Sequence, residues 1–145
     1  MKIQKTFNLI ATILSLSALL SLSLPLYNTT LLDQESCYMV VKLFNLVEFS
    51  PWGGFVLLAP IALLGLMLSK LNNNIKTISL LILFILTGVA LCSSTSAAYE
   101  WICNLSTGFV QTHPNHLIYA ALSFLSMFCF YIANNMNWDD CESEV

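Results

Sequence analysis

Four stretches of this chain are long, apolar and free of charged side chains: Phe7 to Leu26, Pro51 to Ser69, Ile78 to about Ala97, and about Pro114 to Ala133. The hydrocarbon layer of a bilayer is about 30 Å thick and a helix rises about 1.5 Å per residue, so roughly twenty such residues suffice to cross it. An unpaired charge is costly in a layer without water, and none interrupts these runs. The expected fold is therefore all-α, a four-helix transmembrane bundle forming one integral membrane domain over residues 1–145. Composition agrees: 57% of the residues are apolar and 9% charged, too few charges to coat a soluble globule of this size. With no arginine, and with all five lysines outside the longest apolar runs, no basic face exists for a nucleic-acid partner.

Local signals refine the boundaries. Ser50-Pro51 offers a capping hydroxyl ahead of a proline at a first helical position, and Thr77 offers a similar cap for the third run. The polar "LNNNIKT" between the second and third runs predicts a tight antiparallel hairpin, and Pro60 predicts a kink inside the second helix. Lys2, Lys5, Lys70 and Lys76 all fall on one side of four crossings and only Lys42 on the other. The positive-inside rule then predicts cytoplasmic termini in a cell membrane, plasma or bacterial inner, with an acidic cytoplasmic tail over residues 134–145 and outer loops over residues 27–50 and 98–113. Tyr27, Tyr38, Trp52, Tyr99, Trp101 and Tyr119 are expected to collect at the outer interface. The first run could instead be a cleaved signal peptide, but it exceeds the usual apolar core of about 7–15 residues and lacks an A-x-A site.

In "YMVVKLFNLVEF" the polar residues Lys42, Asn45 and Glu48 recur every third position among apolar ones, which predicts a short amphipathic helix lying in the outer interface. Of the five cysteines, Cys92 and Cys129 lie within spans and Cys141 in the tail, leaving Cys37 and Cys103 as a pair on the oxidising side. A disulfide between them would stabilise the fold by at most about 4 kcal/mol. The same pair supports a different function, a thiol-redox or quinone-linked membrane enzyme, although the C-x-x-C pair of such enzymes is missing. His113 and His116, three apart in "THPNH", are the candidate metal ligands, with a helix-start turn as the plainer alternative.

Small residues at Ala11, Ser15 and Ala18, and at Ser17 and Ser21, suit close helix approach, as do Gly65 and Gly88. The sequons at Asn28 and Asn104 both fall on the outer side, and "ESEV" matches a carboxylate-capturing PDZ pattern or a merely solvated acidic tail. No catalytic triad, phosphate loop or cofactor motif occurs, and no span carries the ionisable residue near its midplane that a transporter would be expected to place there. The functional expectation is a non-enzymatic accessory, assembly or protective subunit that binds another membrane protein or a second copy of itself, with Trp52, Tyr99 and Trp101 as contact residues; a minimal transporter or channel subunit is the remaining alternative.

Overall fold

A computed structural model describes residues 2–30, 38–105 and 110–136 of the chain. In chain order these form α1 (Lys2–Ser21), β1 (Pro25–Thr30), β2 (Tyr38–Lys42), a 3-10 turn (Leu43–Asn45), α2 (Leu46–Phe49), α3 (Gly53–Leu68), α4 (Asn73–Leu105), β3 (Gln111–Thr112) and α5 (Asn115–Asn135). The molecule is mostly helical, and α1, α4 and α5 are long and apolar enough to cross a membrane. Helix α3 is apolar but has only 16 residues.

The packing inverts that of a water-soluble bundle. Small and hydroxyl side chains take much of the interior, beside larger ones such as Leu63, Met127 and Phe130: Ala11, Ser15, Ala18, Thr87, Ala90, Ser94 and Ser126 are all fully buried. Large apolar ones point outward, with Leu20 76%, Ile78 60% and Phe128 59% exposed. Such a surface is costly in water and costs nothing against hydrocarbon. Most of the buried hydroxyls donate to backbone carbonyls, whereas Ser123 Oγ is without a hydrogen-bond partner among the described residues. Thr87 and Ser94 donate back one turn to Leu83 and Ala90. Ser126 Oγ instead crosses to the Ala11 carbonyl at 2.6 Å, and Ser15 Oγ to the Pro60 carbonyl at 3.0 Å. Ala11 and Ser15 thus pack α1 onto α5 and α3 within the chain. Gly65 and Gly88 are not packing sites of this kind. A Cβ would meet nothing within 4 Å at Gly65 and only the tip of Phe124 at 4.0 Å at Gly88.

At Pro60 the ring removes the N–H that would bond the Val56 carbonyl one turn earlier. The structure replaces that donor from another helix: the Tyr119 hydroxyl donates to the Val56 carbonyl at 2.5 Å. Tyr119, expected at the interfacial rim, is therefore fully buried at the α3–α5 contact.

The start of α1, the end of α5 and the Ser69–Asn72 connection share one end of the bundle. There Gln4 Nε2 donates to the Ala133 carbonyl, Thr77 Oγ1 to Asn135 Oδ1, and Asn134 Nδ2 to the Asn73 carbonyl. Helix α4 begins four residues before Thr77, and the Asn72 side chain, not Thr77, accepts an amide of its first turn. Thr77 sits inside the helix, bonded back to the Asn73 carbonyl. Ser50 likewise accepts from the Trp52 amide in a turn before α3.

The opposite end departs most from the expected all-α fold, because it carries a three-stranded antiparallel sheet in the order β2-β1-β3. Three boundaries move with it. Helix α1 stops at Ser21, and Pro25 and Leu26 of the first apolar run become strand. The interfacial helix is reduced to residues 43–49, since Tyr38–Lys42 pairs with β1. Val40 and Val41 are β-branched and find a partner strand, which outweighs the three-residue polar spacing. Helix α4 runs through "YEWICN", eight residues beyond its expected end, because Ala98 and Ile102 are fully buried in a core shared with Leu26, Val41, Leu43 and Leu46. At 33 residues α4 is about 50 Å long, well beyond a hydrocarbon core.

Candidate functional site

The last turns of α4 separate two clefts at the sheet end. Tyr99 and Cys103, one turn apart, look towards β1 and β3, while Ala97, Glu100, Trp101 and Asn104 look towards β2 and α2.

The first cleft, about 310 Å³, is lined by Tyr27, Tyr99, Thr112, His113, Pro114 and His116. The Tyr27 and Tyr99 rings lie 5.5 Å apart, Tyr27 donates to the Thr95 carbonyl at 3.1 Å, and Tyr99 shares a side-chain hydrogen bond with Cys103. Burial pushes the Tyr27 phenol above its ordinary pKa, with Tyr99 and Cys103 adding to the effect. Pro114 keeps the preceding residue extended, so the His113 N–H bonds the Leu26 carbonyl at 2.9 Å and continues the β1–β3 pairing. The His113 ring accepts from Asn28 Nδ2 at 2.8 Å. His116 Nδ1 and Asn28 Oδ1 are buried without hydrogen-bond partners among the described residues. The structure thus brings His113 and His116 to one cleft, but among the described residues no group of three His, Cys, Asp or Glu side chains is arranged to hold a metal. Glu100, which could have completed such a shell, faces the other cleft.

The second cleft, about 530 Å³, is lined by Val40, Val41, Asn45, Glu48, Phe49, Ala97, Glu100, Trp101 and Asn104. Two hydrogen bonds fix its α2 wall: the Lys42 amide donates to Asn45 Oδ1 at 3.1 Å, and Asn45 Nδ2 donates to Glu48 Oε1 at 3.4 Å. The Phe49 and Trp101 rings meet at 4.9 Å and join α2 to α4. Sequence reasoning did not find this cleft. Its available signal was that Glu48 and Glu100 are the only carboxylates among the described residues.

Trp52, Tyr99 and Trp101 all reach the surface at this end, 39–45% exposed, with Trp52 stacked on Phe55 at 5.6 Å. Cys37 and the side chain of Tyr38 lie outside the described residues, so only the Cys103 half of the expected bridge is placed; no disulfide occurs among the described residues. The tail from residue 137 onward, with Cys141 and "ESEV", also lies outside them. Of the sequons, Asn28 is held by His113, whereas Asn104 is exposed on α4. Comparison of the chain with protein-family models, with curated proteins and with solved structures finds no match in any of the three.

Proposed function

We propose that the chain is a multi-pass membrane protein that acts by binding, an accessory or assembly subunit that docks another membrane protein through its sheet end. In this reading α1, α3, α4 and α5 all cross a cell membrane, the termini lie in the cytoplasm, and Cys37 and Cys103 join the outer segments. The observation that carries it is the outward-facing apolar surface of the long helices joined to a folded platform at one end, where Trp52, Tyr99 and Trp101 are exposed. Aromatic side chains with polar edges suit both headgroup depth and protein contact. Helix α3 alone is about 24 Å long, and the turn at 50–52 and polar flanks make up the remaining depth. Lys2, Lys5, Lys70 and Lys76 lie at the end opposite the platform, which favours that end as cytoplasmic.

The first cleft supports a second reading, a thiol-redox membrane enzyme, because Cys103 stands beside Tyr99 and near Tyr27, two phenols that line a cavity shared with His113 and His116. Photo-crosslinking residues at Trp52, Trp101 and, as a control, Leu68 at the other end test the binding reading. Adducts to one membrane protein from the two rim positions alone support it, and adducts from Leu68 alone contradict it. Replacing Cys37 and Cys103 separately by Ser divides the two readings. A structural bridge lowers thermal stability in both variants, with partner capture following stability. A redox site loses dithiol-dependent electron transfer at unchanged stability.

A further inference from the structure

We propose that the second cleft is a recognition site for an organic ammonium group. Its two carboxylates stand on different elements, Glu48 on α2 and Glu100 on α4, and line the same cavity of about 530 Å³. No lysine lines it, and among the described residues neither carboxylate has an ion-pair partner. Two negative charges at the edge of a low-dielectric body focus a field that draws cations in. The rest of the lining decides which cation. Trp101, Phe49, Val40 and Val41 give an aromatic and aliphatic wall, which offers nothing to a small hydrated metal ion and suits the methylene or methyl groups of an alkylammonium. Asn104 adds an amide oxygen that an ammonium N–H can use. The cavity is also built before any ligand arrives. The Phe49–Trp101 contact and the Asn45–Glu48 and Lys42–Asn45 bonds fix one wall, and the buried residues Ala98 and Ile102 anchor the α4 wall to the core. Little ordering cost is left for binding.

This site differs from the partner-docking reading, since a small cation can occupy it whether or not a protein partner exists. The ammonium can come from a lipid headgroup or from a free amine, and the chemistry is common to both. The test titrates the full chain in a nonionic maltoside detergent with ethanolammonium and with tetramethylammonium chloride, against sodium chloride at equal ionic strength. Tryptophan fluorescence provides the readout, with Trp52→Phe and Trp138→Phe leaving Trp101 as the sole indole. Saturable quenching is expected for both ammonium ions and not for sodium. Glu48→Gln and Glu100→Gln should each weaken binding about tenfold, and Trp101→Leu, read by calorimetry, should weaken tetramethylammonium more than ethanolammonium. Because both glutamates are exposed, the Gln variants should keep the parent melting temperature, which separates lost binding from lost folding. Nanodiscs of phosphatidylglycerol with and without phosphatidylethanolamine distinguish the sources. Competition by the second lipid identifies a headgroup as occupant, and unchanged affinity identifies a free amine. Absence of saturable binding, or binding that survives the Glu48→Gln/Glu100→Gln double variant, overturns the proposal.

Discussion

Removing the Tyr119 hydroxyl should expose a debt created two helices away in sequence. Pro60 leaves the Val56 carbonyl without its helical donor, and Tyr119 supplies a replacement at 2.5 Å, with both residues fully buried. Tyr119→Phe keeps the ring and deletes only the donor. An unsatisfied buried acceptor costs roughly 1–3 kcal/mol in soluble proteins, and hydrogen bonds between membrane helices run from about 0.6 on average to about 1.7. The expected loss is therefore about 1.5 kcal/mol. In a Pro60→Ala background residue 60 regains its N–H and can bond the Val56 carbonyl within the helix. There the same Tyr119→Phe change should cost under about 0.5 kcal/mol, a coupling of about 1 kcal/mol between residues on different helices. Unfolding of the four proteins in mixed micelles with increasing denaturing detergent, followed by circular dichroism, gives the cycle. Equal costs in both backgrounds, within about 0.3 kcal/mol, would refute the argument that Tyr119 stands in for the missing proline donor.

Two further outcomes follow from the packing at the sheet end and within α3. A Cβ on Gly53 would stand 2.1 Å from the Leu46 carbonyl oxygen, a backbone atom, so Gly53→Ala should destabilise by about 3 kcal/mol or more, whereas Gly65→Ala, with nothing within 4 Å, should be neutral or gain up to about 1 kcal/mol of helix propensity. Paired melting curves decide this, and a tolerated Gly53→Ala would show that α2 does not sit against the first turn of α3. For Tyr27 the folded pKa lies above the unfolded one, so its contribution is complete below about pH 10 and is lost as pH rises from there through the folded value. Stability measured from pH 8 to 12 should fall less steeply above about pH 10 in Tyr27→Phe than in the parent; identical slopes would remove Tyr27 from the account.

The helical core was legible in part because its signal is long: each apolar run holds a helix and the small-residue face of α1 is buried, but α3 has only 16 residues and Asn73–Thr77 of "LNNNIKT" open α4, which leaves Ser69–Asn72 as the connection. The sheet was not. "PLYNTT" and "YMVVK" are short, lie next to longer apolar runs, and become strands only because each supplies the other's ladder, a partnership that no window along one segment contains. Tyr119 was misplaced for a related reason: its burial depends on a carbonyl freed by a proline in another helix. His113 and His116 line one cleft and Glu100, next to Tyr99 in sequence, lines the other, a division that becomes visible only once residues 98–105 are known to be helical and to present opposite faces.

The four crossings carry everything proposed above, and accessibility labelling tests them most directly. Single cysteines placed at Val47, Asn74 and Gln111 in a background with the five native cysteines replaced by Ala would be exposed to a membrane-impermeant maleimide on intact cells. The account predicts reaction at positions 47 and 111 from outside, and at position 74 only after permeabilisation. Labelling of position 74 from outside together with 47 would mean that α3 does not cross, and the reversed pattern would place the platform in the cytoplasm; either result contradicts the proposed arrangement.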